Sequence, residues 1–170
     1  MDWEVISSTG EWVGAIAVVA TLFYLAKQIR QQNTNAMTIA VDSWLAEYNS
    51  TVLELTRDSE LALIYRHGLT DFDRLAPNDQ LRFHGWMVAH LLNAENMHSK
   101  LSQGLFDVAL ANQVLGFNAG MLKCAGGATW WASAKQIFNA NPVFVSYMDN
   151  LIDESSPITK IWPWFSSDDK

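Results

Sequence analysis

The sequence predicts an all-α protein: an N-terminal transmembrane helix followed by a helical bundle domain. Three observations carry this expectation. No stretch sustains the alternation of a half-buried strand, while apolar residues recur at spacings of three and four. Helix-start and helix-stop residues punctuate these runs, at Asp58-Ser59, Pro77, Gly104, Asp107 and Asn141-Pro142. One run near the start, Trp12 to Ala26, holds no charged side chain.

That apolar run decides where the rest of the chain lives. Crossing roughly 30 Å of hydrocarbon takes about 20 residues, so the run needs extending at its ends. Lys27 and Arg30 can lay their stems along the apolar layer while their charges reach the headgroups. Trp12 and Tyr24 suit the interface, where a ring is half wet. Trp12, Tyr24, Lys27 and Arg30 are therefore the expected anchor residues, and the lipid bilayer the expected partner. The competing arrangement is a soluble all-α oligomer with residues 12–29 buried at its centre, because a helix apolar all round also suits a protein core. A cleaved signal peptide is disfavoured: Asp2 and Glu4 occupy its n-region, with no basic residue and no small-residue cleavage pattern.

Flanking charge gives the orientation. Asp2, Glu4 and Glu11 precede the run, and Lys27 and Arg30 follow it. Basic residues are retained on the cytoplasmic side, so the N-terminus is expected outside and the domain in the cytoplasm. Gly10 and Gly14 have the GxxxG spacing that lets helices approach closely. The expected organisation is residues 1–30 as N-terminal segment and anchor, 31–154 as the bundle domain and 155–170 as an aromatic tail.

The net charge of −7 is carried mostly by residues 31–170. An acidic domain argues against nucleic acid as a partner and against broad adsorption to anionic lipid. The single cysteine, Cys124, excludes an intramolecular disulfide and a thiolate metal cluster. It reads as a small core side chain.

Taken in order, Gln28 to Asn35 is polar but lacks Gly and Pro, so a helix can continue through it, with a bend expected near Asn33 to Asn35. Ile39, Ala40, Trp44, Tyr48, Val52 and Leu55 then keep helical rhythm. Asp58-Ser59 caps a short helix, Glu60 to His67, which Gly68 closes. Leu69 to Ala76 reads as a loop, and Pro77 suits a first helical position. The central helix runs from Pro77 to Gln103, and Gly104 ends it. Its polar arc holds Arg82, Asn93, Asn96 and Lys100; its wide apolar arc includes Leu81, Phe83, Trp86, Met87, Leu91, Leu92 and Met97. Neighbours should cover such a helix on most sides. Asp107 caps a helix to about Cys124, Ala125-Gly-Gly-Ala128 breaks the chain, and Thr129 or Trp130 opens a short helix through Phe138. Asn141 caps the last helix, Val143 to Asp153, with Pro142 at its first turn.

The segment Ile161-Trp-Pro-Trp-Phe165 is the most apolar part of the tail. Trp162, Trp164 and Phe165 can pack back on the domain, meet the bilayer interface or dock on a partner subunit.

One constellation bears weighing as chemistry. Glu95 and His98 form a Glu-x-x-His pair, the spacing that carboxylate-bridged di-iron bundles place on each of two helices. No second copy exists: Ser50, Arg57 and Leu63 stand three residues after Glu47, Glu54 and Glu60. His84 shares the face but lies about 20 Å from His98 along the helix, too far to share a metal. Glu95 and His98 are thus the only metal-ligand candidates. The plainer reading makes Glu95 a half-buried carboxylate held by Arg57, Arg66, a histidine or backbone N–H groups. His67 and His90 read as surface or core-edge residues. At Trp130-Trp131 one ring is expected in the core and the other over a neighbouring helix. No nucleophile elbow, phosphate-binding glycine loop or His-Glu-x-x-His is present, so no enzyme activity and no cofactor are expected.

The segment Glu11-Trp-Val-Gly-Ala-Ile-Ala-Val-Val-Ala-Thr-Leu-Phe-Tyr-Leu-Ala-Lys-Gln-Ile-Arg-Gln-Gln-Asn-Thr34 resembles the opening of a widespread group of uncharacterised bacterial proteins with one N-terminal transmembrane helix. Asp58-Ser-Glu-Leu-Ala62, Gly104-Leu-Phe-Asp107, and Trp130-Trp131 with Phe138 and Phe144 extend the resemblance to about Ile152. It implies a bacterial inner-membrane protein with a cytoplasmic helical domain. It brings no activity and no site residues.

The expected function is a membrane-anchored interaction or accessory subunit of a membrane-associated assembly, working through self-association or a membrane-protein partner. The alternative is a small-molecule or metal-binding helical domain using the Glu95–His98 face.

Overall fold

The computed structural model describes residues 3–161, with side chains described at Trp12 and from Gly14 onward. Among these residues the fold is all-helical, without a strand. The chain divides into two compact units, Met1–Ala40 and Val41–Lys170.

The first unit belongs to helix α1 (Trp3–Arg57). The polar stretch after Ile29 stays helical through Asn33 to Asn35. Thr34 and Thr38 donate their hydroxyls back to the Arg30 and Thr34 carbonyls, at 3.0 and 3.1 Å, which keeps short polar side chains compatible with the helix. The expected transmembrane helix is not matched by a span: among the described residues no helix is long and apolar enough to cross a membrane. The uncharged run ends at Ala26, and Lys27, Gln28 and Arg30 dilute whatever follows.

In the second unit the last turns of α1 pack with α2 (Ser59–Thr70), α3 (Pro77–Ser102), α4 (Val108–Leu122), α5 (Ala125–Ala134), α6 (Pro142–Glu154) and α7 (Ile158–Ile161). Two 3-10 turns, Phe72–Arg74 and Lys135–Phe138, join α2 to α3 and α5 to α6. Trp44, Phe83, Trp130, Phe138 and Phe144 are the largest fully buried side chains, with Met87, Leu91, Met97 and Leu115 among them. Two indoles tie α1 to α3: Trp44 Nε1 donates to the Asn93 carbonyl at 3.0 Å, and Trp86 Nε1 to the Thr51 carbonyl at 3.2 Å.

Helix starts follow local chemistry. Asp58 accepts from the Glu60 and Leu61 amides, Asp107 from Leu110 and Asn141 from Phe144. Pro77 and Pro142 open α3 and α6. Gly104, at φ +71°, stops the chain after α3.

Several expectations are corrected. Gly68 does not close α2, which runs on to Thr70; it is buried against Phe83, whose ring a methyl group there would overlap. Gly126-Gly127 is no break, since both lie in the first turn of α5. A Cβ on Gly126 would collide with the Gly68 carbonyl, and one on Gly127 with that of Met121. These glycines let helix backbones touch, a tertiary demand that resembles a turn signal. Asn93 leaves the polar arc for the interior, donating to Thr51 Oγ1 and the Ala89 carbonyl, both at 3.3 Å. Leu81 and Leu92, placed on the covered arc, are exposed. Ile158, in α7, is buried over Gly120.

Candidate functional site

The most unusual surface among the described residues is the apolar part of α1. Trp12 and Phe23 are 73% and 74% exposed, and Ile16, Val18, Val19, Leu22, Tyr24, Leu25 and Ile29 are exposed as well. At about 100° per residue eight of these nine side chains fall within one half of the helix circumference; Tyr24 lies on the other half with Ala17, Ala20 and Thr21, and no charge interrupts either half from Trp12 to Ala26. Thr21, the only hydroxyl between Val13 and Phe23, returns its donor to the Ala17 carbonyl at 2.7 Å, so it presents little unmet polarity. Lys27 and Arg30 are exposed at the end of the run. Of the expected interaction residues, Trp162, Trp164 and Phe165 lie outside the described residues.

The Glu95–His98 pair sits on α3 facing α6. The His98 ring lies 4.7 Å from Tyr147 and 5.7 Å from Phe144, centroid to centroid. Partial burial lowers the His98 pKa, and the neighbouring Glu95 carboxylate pulls it back up. Burial, with Glu154 adding to it, raises that of Tyr147. His84 is directed elsewhere: its Nδ1 accepts from Trp130 Nε1 at 3.2 Å. The three-residue face is thus split between α5 and α6 partners. Among the described residues no three His, Cys, Asp or Glu side chains gather as a metal ion would require.

No family model, no curated protein and no solved structure matches this chain.

Both adjacent tryptophans enter the interior, contrary to expectation. Trp131 Nε1 donates to Asp149 Oδ1 at 2.8 Å, and Lys135 holds the other oxygen at 3.1 Å. Because α5 is covered on two sides, each indole finds a polar partner for its single donor.

Sequence reasoning also misplaced His90. Its ring is 1% exposed, stacked on Trp86 and approached by Tyr48 and Phe117 from α1 and α4. Among the described residues neither ring nitrogen has a hydrogen-bond partner, and burial lowers its pKa to about 4. The i, i+4 spacing of Trp86 and His90 was the available signal. Cys124 is buried, as its apolar setting suggested.

Proposed function

We propose that this chain is an accessory or interaction subunit of a membrane-associated assembly, held at the bilayer by residues 12–30. Its N-terminus lies outside and its helical domain on the cytoplasmic face of a bacterial inner membrane. The observation that supports this most is the exposure of nine large apolar side chains on α1 between Trp12 and Ile29, in a run with no charged side chain on any side from Trp12 to Ala26. Each costs about 1.5–3 kcal/mol when left in water rather than covered. One partner helix covers a narrower stripe than this half-circumference, and lipid also accepts the uncharged opposite half. The run is shorter than a full span, and the Lys27 and Arg30 stems extend its apolar reach. The excess of basic residues after the run supports the orientation.

No catalytic step belongs to this proposal. The bundle supplies an ordered acidic domain beneath the bilayer, and the partner is another copy or a membrane protein. The test is the mass of the full-length chain purified from membranes in mild detergent, with and without chemical cross-linking. A defined oligomer or a stoichiometric complex is expected. A strict monomer that co-purifies with nothing would remove the subunit reading.

A further inference from the structure

Helix α2 turns one face to solvent, Ser59, Glu60, Leu63, His67 and Thr70, with Leu63 at its centre and 44% exposed. Beside that face an apolar groove of about 600 Å³ opens between the end of α1 and α2, with Leu55, Ala62, Leu63 and Arg66 in its lining. We propose that this groove receives α2 of a second copy of the chain, packed antiparallel so that the two Leu63 side chains meet at the crossing point. The inference rests on the subunit reading above and names its partner.

Charge selects the occupant and its direction. α2 begins acidic and ends basic: Asp58 caps it and Glu60 lies in its first turn, while Arg66 and His67 stand toward its end. Arg82 of α3 donates to Asp58 at 2.8 Å and to Glu60 at 2.7 Å, which leaves the start of α2 with one net negative charge. The Glu60 side chain stays 74% exposed despite that bond. A parallel second copy would set acid against acid and base against base. An antiparallel copy sets each acidic start against a basic end and opposes the two helix dipoles.

The spacing fits the same arrangement. Leu63 lies midway between Glu60 and Arg66. A rise of about 1.5 Å per residue puts Arg66 about 4.5 Å past the crossing point, level with Glu60 of the second copy, and two-fold symmetry repeats the pair. Ser59 and His67, four residues to either side, are brought level in the same way. Among the exposed residues of α2, Leu63 alone is large and apolar, so its burial against the other copy is the favourable apolar contact. A shift by one helical turn would set it against a polar or charged side chain instead.

The test uses the full chain. With Cys124→Ala and Leu63→Cys, mild oxidation in membranes is expected to give a covalent dimer, whereas Leu81→Cys, at an exposed site on α3, should stay monomeric. In mild detergent Leu63→Glu should weaken the dimer about tenfold or more, because two carboxylates then face each other. Glu60→Arg and Arg66→Glu should each lose the dimer alone and regain it when the two proteins are mixed, with helical circular dichroism unchanged throughout. No covalent dimer through Leu63→Cys, equal cross-linking through Leu81→Cys, or a dimer that survives Leu63→Glu would overturn the inference. If the unaltered chain still forms a defined oligomer or complex in those cases, the subunit reading stands. An unaltered chain that is a strict monomer and co-purifies with nothing removes both.

Discussion

The imidazole of His90 lies almost flat on the indole of Trp86, with centroids 4.7 Å apart and planes 16° apart. Tyr48 from α1 closes the other approach at 5.2 Å, and Phe117 from α4 completes the box at 6.5 Å. The charged residues of this part of α1, Asp42, Glu47, Glu54 and Arg57, are all exposed, and α4 carries no charged side chain. A proton on His90 would therefore enter an apolar site without a counter-charge.

This gives a signed pH dependence. The unfolded chain takes up a proton on His90 near pH 6.5, whereas the fold resists until about 4. Between those values the unfolded state binds more protons, so stability falls as pH drops. The full loss is about 3 kcal/mol and levels off below the folded value. His90→Phe should flatten this part of the curve while keeping an aromatic ring against Trp86. Denaturant unfolding at pH 7, 5.5 and 4.5 checks it; parallel curves for the two proteins would contradict the assignment.

Helix contact at Gly126 is the second test. A methyl group there meets the Gly68 carbonyl and the Phe72 amide, which are backbone atoms and cannot swing aside. Gly126→Ala should cost more than about 3 kcal/mol or prevent folding. Gly85→Ala, inside α3 with open space around the added carbon, should be neutral or stabilising by up to about 1 kcal/mol. Thermal melts of the pair decide between close packing and mere helix propensity.

Asp149 serves the third. Its two oxygens take Trp131 Nε1 and Lys135 Nζ. Asp149→Ala strands a buried indole donor, at about 1–3 kcal/mol. Adding Trp131→Phe should restore part of that loss, because no donor is then left unpaired. A double variant no more stable than the single one would show that the indole bond matters little.

Trp44 links the last turns of α1 to α3. Trp44→Ala removes a fully buried ring and its bond to the Asn93 carbonyl, and should cost about 3–5 kcal/mol. Trp44→Phe retains most of the burial and should cost less. Equal, small losses for both would mean that α1 residues 41–57 are peripheral to the bundle.

Helix starts were readable because capping is local: Asp58, Asp107 and Asn141 each bind amides two or three residues ahead. The same holds for Pro77, Pro142 and Gly104. What local reasoning missed depends on neighbours distant in sequence. Gly68 and Gly126 lie far apart in the chain, and only their crossing reveals why neither carries a side chain. Asn93 looked solvent-facing by type, yet Thr51 and the Ala89 carbonyl of its own helix receive it inside. Of the candidate face, the adjacency of Glu95 and His98 was legible from spacing, while the Tyr147 and Phe144 rings over it come from α6 and were not.

Fractionation of cells expressing the full-length chain bears most directly on the central claim. After a high-salt and alkaline wash, the protein should stay with the membrane and leave it only with detergent. Val19→Asp with Leu22→Asp, which places two charges in the apolar run, should release it, since each charge costs about 2.5–3.5 kcal/mol at a bilayer centre. Recovery of the unaltered chain in the detergent-free soluble pool would contradict the account and move residues 12–29 into a protein core.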